Sequence, residues 1–203
     1  MKFETQNLYF ISDFHVGHTN VIRFDGRPFS DVNEMNETLI KNWNSVVTDD
    51  DIVFYLGDLS MRCNPATVKW FVEQLNGKIH FFMGNHDRYR DIRNLNRFEK
   101  IWGDDDVSGA GKIEVKDDDA NRGYQHIEMS HYAILSWNKS HHNSWHLHGH
   151  SHGSMMKNPD MDFFYKRKVL DMGCNMWNYT PVSYSQIKEI MLKKVISPVD
   201  HHD

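Results

Sequence analysis

Residues 79–87 read IHFFMGNHD, a run of five residues of which four are apolar, followed at once by a polar turn. The run predicts a β-strand covered on both faces, because a half-exposed strand would alternate apolar and polar residues. The turn contains a glycine and three side chains that can bind a metal ion. The same arrangement, a strand-like run ending in residues of this kind, recurs four times elsewhere in the chain.

The other strand-like runs are short and apolar or alternating, and they lie at residues 8–12, 52–56, 127–130 and 145–148. We also expect residues 111–115 to pair with residues 124–129 as a hairpin across an acidic turn. The run at 145–148 carries His146 and His148, and its alternation predicts one buried and one exposed face. For these two histidines we expect a structural role.

Helix signals separate the first strands. An apolar stripe at steps of three and four predicts a helix over residues 31–47, with Ser30 or Asp31 as its N-cap. Asn64 before a proline opens a second helix, and a capping box at Ser183 opens the last one. The alternation of strands and helices over the first 100 residues indicates an α/β fold, whereas the second half is richer in strands.

Length and composition indicate one globular domain. The chain has 203 residues, 39% of them hydrophobic, and we expect a domain over residues 1–196 with a loose tail over residues 197–203. No apolar run is long enough to span a membrane and no signal peptide is recognisable, so a cytoplasmic protein is expected. The net charge of −5 argues against an extended nucleic-acid surface. Nothing in the sequence fixes an oligomeric state.

Polar residues that bind metals well follow each of the five strand-like runs. Because functional groups gather at the carboxyl ends of strands in α/β sheets, we expect these ends to converge on one crevice. The candidate ligands are Asp13, His15, Asp58, Asn85, His131, His150 and His152.

This mixed set of imidazole, carboxylate and amide ligands suits manganese first, with iron, zinc or nickel as alternatives. The two cysteines, Cys63 and Cys174, cannot form a thiolate metal site of the CxxC type. Seven ligands are too many for one ion with room for a substrate, and they suit two divalent ions about 3.5–4 Å apart that share a carboxylate. Asp58, alone after a glycine, is the natural bridge. The glycines before Asp58, Asn85 and His150 should allow close approach of the backbone to ions or phosphate.

The charge of such a centre predicts its substrate class. Two divalent ions with Asp13, Asp58 and a bridging hydroxide leave a net charge of roughly +1, which favours a phosphate group. The bridging hydroxide can then attack phosphorus in line. His86 is not needed as a ligand, and it can stabilise the oxyanion or protonate the leaving oxygen. We therefore regard Asp58 and His86 as the catalytic residues.

Taken in order, these motifs resemble the calcineurin-like metallophosphoesterase family, and especially its small bacterial and phage members. They are Asp13-x-His15, Gly57-Asp58, Gly84-Asn85-His86-Asp87, His131 and Gly149-His150-x-His152. The resemblance implies two mixed β-sheets in a sandwich flanked by helices. It also implies one ion held by Asp13, His15, Asp58 and His152, and a second held by Asp58, Asn85, His131 and His150, with His86 as the catalytic non-ligand.

One departure from the family pattern narrows the function. The protein phosphatases of the family carry GDxxDRG, whereas residues 57–62 read GDLSMR and lack the second aspartate. The resemblance therefore favours a phosphodiesterase acting on a nucleotide, a cyclic nucleotide or a short oligonucleotide. The alternatives are a phosphomonoesterase and a non-catalytic, metal-stabilised interaction scaffold.

Three residues are candidates for contact with the phosphoester substrate: Asn85, His18 and Arg88. Arg88 begins a series of arginines that ends at Arg97, spaced as on one helix face. Such a series usually forms a solvated helix face, and we favour that interpretation over a phosphate-binding one.

Overall fold

The computed structural model describes residues 1–199, apart from the side chains of Gln6 and Asn121. The ten strands are β1 (Lys2–Glu4), β2 (Leu8–Ile11), β3 (Ile52–Tyr55), β4 (Lys78–Phe82), β5 (Phe98–Trp102), β6 (Ala110–Lys116), β7 (Tyr124–Ser130), β8 (Trp145–His148), β9 (Val169–Asp171) and β10 (Val182–Ser183). The six α-helices are α1 (Thr19–Phe24), α2 (Val32–Val46), α3 (Pro65–Val72), α4 (Tyr89–Asn94), α5 (Asp162–Lys166) and α6 (Tyr184–Leu192).

The strands form two mixed sheets of five strands each. The first sheet has the order β10-β2-β3-β4-β5 and the second the order β1-β6-β7-β8-β9. Only β10 with β2 and β6 with β7 are antiparallel, and the other neighbours are parallel. The α/β sandwich flanked by helices is thus confirmed.

Side chains that alternate along the first sheet build two cores. Phe10, Phe54 and Phe82 face the second sheet and pack with its apolar residues. Val53 and Phe81 point the other way, into a core shared with α2 and α3. Each fully buried side chain of this size stabilises the fold by roughly 1.5–3 kcal/mol. Burial on both faces explains why these strands have almost no polar residues.

The predicted helix starts are confirmed at atomic level. Asp31 caps α2 by accepting hydrogen bonds from the backbone N–H groups of Asn33 and Glu34, which decides between the two candidates for this cap. The Asn64 side chain caps α3, and Ser183 forms the capping box of α6. The hairpin is also confirmed, as β6 and β7.

All four strands that the sequence pattern does not predict lie at the sheet edges: β1, β5, β9 and β10. Edge strands are short and pair on one side only, so they need neither a long apolar run nor strict alternation. In the predicted tail, residues 197–199 lie outside any helix or strand, and residues 200–203 lie outside the described residues. No helix in the described part of the chain is long and apolar enough to cross a membrane.

The arginines after residue 87 do not form one solvated face, contrary to expectation. Helix α4 ends at Asn94, so Arg97 lies beyond it. The Arg97 guanidinium donates hydrogen bonds to the carbonyl groups of Val72, Leu75 and Gly77. It therefore anchors the segment that connects α3 to β4.

Strand β8 also differs from expectation, because all four of its residues are buried rather than one face of two. A third apolar cluster, which includes Trp137 and Phe164, is packed beside the second sheet. His146 accepts a hydrogen bond from the Ile134 N–H at 3.0 Å and donates one to the Glu128 carbonyl at 3.2 Å. Burial, aided by the neighbouring His148, lowers the pKa of His146 to about 3.

The buried His146 should make stability depend on pH. Between about pH 6.5 and pH 3 the unfolded chain binds a proton at this residue that the folded chain does not bind. The free energy of unfolding is therefore highest above pH 6.5 and falls with decreasing pH, by roughly 1.4 kcal/mol per unit from this group. Urea unfolding of the His146→Gln variant should show a pH slope that is shallower by about that amount between pH 6 and pH 5. Equal slopes in the two proteins would contradict this assignment.

Candidate metal centre

The site residues lie on loops at the carboxyl ends of five inner strands. Those from the first sheet follow β2, β3 and β4, and those from the second sheet follow β7 and β8. The crevice is therefore built by both layers of the sandwich. The structure brings all seven predicted ligands into this one place, in two groups linked by short contacts.

The first group consists of Asp13, His15 and His152, whose possible ligand atoms lie within 4.8 Å of one another. The Nε2 atoms of His15 and His152 are 3.1 Å apart, and His152 Nε2 is 3.6 Å from Asp13 Oδ1. Asp13 and His15 are buried, whereas His152 is partly exposed. Two imidazoles and one carboxylate are therefore close enough together to bind one ion.

The second group consists of Asp58, His131 and His150, again within 4.8 Å. His131 Nε2 lies 3.5 Å from Asp58 Oδ1. The amide oxygen of Asn85 joins this group, because it is 2.9 Å from both His131 Nε2 and His150 Nδ1.

Asp58 lies between the two groups. Its Oδ2 is 3.7 Å from His15 Nε2 in the first group, and its Oδ1 faces His131 in the second. Burial raises the pKa of Asp58, although the nearby His131 acts in the opposite direction. A buried carboxylate in this position has one oxygen available to each group.

Hydrogen bonds on the far side of two imidazoles indicate that the donor set fits cations. Nδ1 of His131 donates to the Leu56 carbonyl at 2.8 Å, and Nδ1 of His152 donates to Asp25 Oδ2 at 2.7 Å. Each Nε2 thereby faces other acceptor atoms in the crevice, as in metal sites. Although burial opposes the charged form, hydrogen bonds to Asp13 and Asp25 raise the pKa of His152 to about 10. The carboxylates of the site thus stabilise a positive charge at this position.

Five of the candidate ligands have left-handed backbone conformations, with φ between 48° and 68°: Asp13, His15, Asp58, His150 and His152. This region costs a residue with a side chain about 1–2 kcal/mol. The surrounding contacts hold the conformations in place, as where the His150 N–H donates to the Asp13 carboxylate. Such strain is concentrated at functional sites.

Glycines let the site loops pack closely against each other. A Cβ on Gly57, where φ is +94°, would lie 2.5 Å from His131 Nδ1, and a Cβ on Gly84 would lie 2.3 Å from Asp58 Oδ1. A Cβ on Gly149 would crowd the Asp13 carboxylate. Close approach was expected at these glycines, and the groups approached are the site's own side chains.

Asp87 supports the centre in a way that the sequence analysis missed. Its carboxylate accepts hydrogen bonds from the backbone N–H groups of Asp58, Gly84 and Leu59, at 2.8, 2.9 and 3.0 Å. Burial, together with the neighbouring Asp58 carboxylate, raises the pKa of Asp87 to about 7. Its position at the end of the GNHD motif was the available signal for this role.

Two further carboxylates were missed because they have no motif of their own. Asp25 binds His152 and forms an ion pair with Arg27 at 3.1 Å. Asp171 accepts hydrogen bonds from the Ser151 hydroxyl and the Gly153 N–H, and so shapes the turn that carries His150 and His152.

The remaining candidates lie at the rim of the centre. The His86 ring is exposed, and its Nε2 is 4.0 Å from Asp58 Oδ2. His18 lines a cleft of about 510 Å³ together with His15, His86 and His152. Arg88 lines a second cleft of about 440 Å³, which also has His86 in its wall.

The protein is thus a two-layer α/β sandwich, and the loops at one edge of the sandwich carry two His–carboxylate groups that form a candidate two-ion centre. The chain belongs to the calcineurin-like phosphoesterase family, whose family model matches residues 7–154. Membership indicates a metal-dependent phosphoesterase of the hydrolase class.

Relatives cover nearly the whole chain. An uncharacterised protein of Methanocaldococcus jannaschii is 35% identical over 96% of this chain and 97% of its own length. The gene 66 protein of Mycobacterium phage L5 is 28% identical over 84% of this chain and 87% of its own. The crystal structure of a protein of unknown function from Aquifex aeolicus has a TM-score of 0.68 at 21% identity, covering 91% of this chain and 98% of that one. This last similarity concerns the fold.

Proposed function

We propose that this protein is a dinuclear metal-dependent phosphodiesterase that acts on a nucleotide, a cyclic nucleotide or a short oligonucleotide. The observation that carries the proposal is the position of Asp58 between two groups of ligands. Each group, with Asp58 counted in both, offers one ion four protein ligands: Asp13, His15, Asp58 and His152 for one, and Asp58, Asn85, His131 and His150 for the other. Manganese is the metal we propose, with iron, zinc or nickel as alternatives.

The proposed centre acts through charge. Two bound divalent ions would neutralise the phosphate oxygens and lower the pKa of water to roughly 7. The protein positions the phosphate between the two ligand groups, and Asp58 fixes the spacing of the groups. His86, exposed at the rim, donates a proton to the leaving oxygen or stabilises the oxyanion, which contributes roughly 10²–10⁴-fold to the rate. Asn85, His18 and Arg88 face the substrate.

One feature of the sequence favours a diester. The Asp58 loop lacks the second aspartate of the protein phosphatases. We further propose that residues 1–196 act as one domain in the cytoplasm. The net charge of −5 argues against an extended nucleic-acid partner.

The test is hydrolysis by purified protein with Mn²⁺ added. Bis-p-nitrophenyl phosphate should be cleaved faster than p-nitrophenyl phosphate, and a chelator should abolish cleavage until Mn²⁺ is restored. Faster cleavage of the monoester would establish the phosphomonoesterase alternative instead. If the protein binds manganese, iron, zinc or nickel yet cleaves neither ester, the scaffold alternative holds.

A further inference from the structure

Two clefts reach the metal centre, and Met61 and His86 line both of them. The first also contains Asp58 and His150 and the second Asn85, so a group bound at the centre has open space in each cleft. We name them the ring cleft, lined by Val21, Phe24 and Lys157 beyond the shared residues, and the arginine cleft, lined by Arg62 and Arg88. A phosphodiester carries one substituent on each side of its phosphorus, and two clefts match this shape.

The ring cleft has an apolar wall next to a polar centre. Phe24 is 66% exposed there, and Met61 and the largely buried Val21 also line the cleft. The His18 ring meets Phe24 edge to face at 6.4 Å, and the Arg23 guanidinium lies over the Phe24 ring at 5.3 Å from its centroid, yet most of the side chain stays exposed. Single exposed apolar side chains need no explanation, but one that lines the cleft of the candidate ligands offers a stacking face to a planar ring.

The arginine cleft has the opposite chemistry. The guanidinium groups of Arg62 and Arg88 are exposed, and within residues 1–199 neither forms an ion pair with a carboxylate. The arginine cleft contains two acidic side chains, Asp87 and Asp91. The Asp87 carboxylate already accepts hydrogen bonds from three backbone N–H groups. Two guanidinium groups without carboxylate partners are suited to bind a second phosphate.

We propose that the substrate is a phosphodiester with unlike ends. A nucleobase-type ring stacks on Phe24 in the ring cleft, and a further phosphate group binds Arg62 and Arg88 in the arginine cleft. This inference rests on the proposed phosphodiesterase function and deepens it. It identifies Phe24, Arg62 and Arg88 as the residues that determine specificity.

The test compares dinucleotides that differ at one end. The kcat/KM for thymidylyl-thymidine is measured with and without a 5′-phosphate. It is compared with kcat/KM for analogues that lack one or the other base. The Phe24→Ala variant should lose roughly 5- to 150-fold in kcat/KM on the complete dinucleotide, because stacking of one base is worth about 1–3 kcal/mol. It should lose nothing on the analogue that lacks the stacked base. Phe163→Ala, at a residue that is 50% exposed on α5, is the matched control and should behave as the unaltered protein.

The second arm tests the arginine cleft. The unaltered protein should prefer the 5′-phosphorylated dinucleotide by roughly 10-fold or more, as expected for hydrogen bonds between charged groups. The double variant Arg62→Gln, Arg88→Gln should lose this preference, whereas the double variant Arg90→Gln, Arg93→Gln on α4 should keep it. Calorimetric binding of both dinucleotides to the metal-loaded variants gives a second readout that does not depend on turnover.

The possible failures are distinguishable. If bis-p-nitrophenyl phosphate is cleaved but Phe24→Ala affects the complete and base-free dinucleotides alike, the stacking site is wrong. If the 5′-phosphate changes neither binding nor cleavage, the arginine site is wrong. If no phosphoester is cleaved at all, the proposed function fails, and this inference fails with it.

Discussion

The Asp58→Asn variant should lose bound metal and hydrolytic activity together. Asp58 places one carboxylate oxygen towards each ligand group, so its replacement removes a negative charge and a ligand from both proposed ions at once. Changes to residues that merely support metal ligands already weaken metal binding by about 10–100-fold, and the loss of a shared ligand should exceed the upper end of that range. Asparagine keeps the size of the side chain, so the fold is retained.

The measurement is metal content by atomic emission after equilibration with Mn²⁺, together with hydrolysis of bis-p-nitrophenyl phosphate. Asp50→Asn, at an exposed position on the turn before β3, is the control for loss of one negative charge. An Asp58→Asn protein that still binds two ions and retains the rate of the unaltered protein would show that this carboxylate is not the bridge.

The second large effect separates chemistry from metal binding. The His86→Ala variant should retain both ions but lose roughly 10²–10⁴-fold in kcat. Its ring belongs to neither ligand group, whereas the backbone N–H of residue 86 donates to Asp58 Oδ1 at 3.0 Å and remains in the variant. The ligand thus stays in place while the exposed imidazole is removed.

Leaving groups show which role His86 has. If it protonates the leaving oxygen, the defect should be larger for an alcohol leaving group than for p-nitrophenol, which departs without a proton. An equal defect for both would indicate stabilisation of the oxyanion. His142→Ala, at an exposed histidine in the connection between β7 and β8, is the control. Loss of metal from His86→Ala would instead make His86 a ligand and overturn its assignment.

The inner strands were predictable because their burial leaves a pattern in the sequence. Strands such as β3 and β4 are covered by apolar layers on both faces, which excludes most polar residues. The four edge strands lacked such a pattern, as in β5, whose burial varies from residue to residue. Polar residues directly after the inner strands could be expected to converge, because the strand order brings their carboxyl ends together.

The residues that support the candidate ligands were not predictable in the same way. Asp25 meets His152 across 127 positions of sequence, and no local spacing marks such a contact. Arg97 has a helical spacing from Arg93 but lies past the end of α4, where carbonyl groups of a neighbouring segment bind it. Tertiary contacts of this kind depend on how the loops pack, which a local pattern does not encode.

The left-handed backbone at five candidate ligands limits what protein engineering can transfer. Copying these side chains onto ordinary strand ends or helices of another host would point them in other directions, since their geometry depends on unfavourable main-chain torsions. A transplant would have to include the loops around Asp13, Asp58 and His150, and the glycines that let those loops touch. The smallest portable unit of this centre is therefore a set of loops with their supporting contacts.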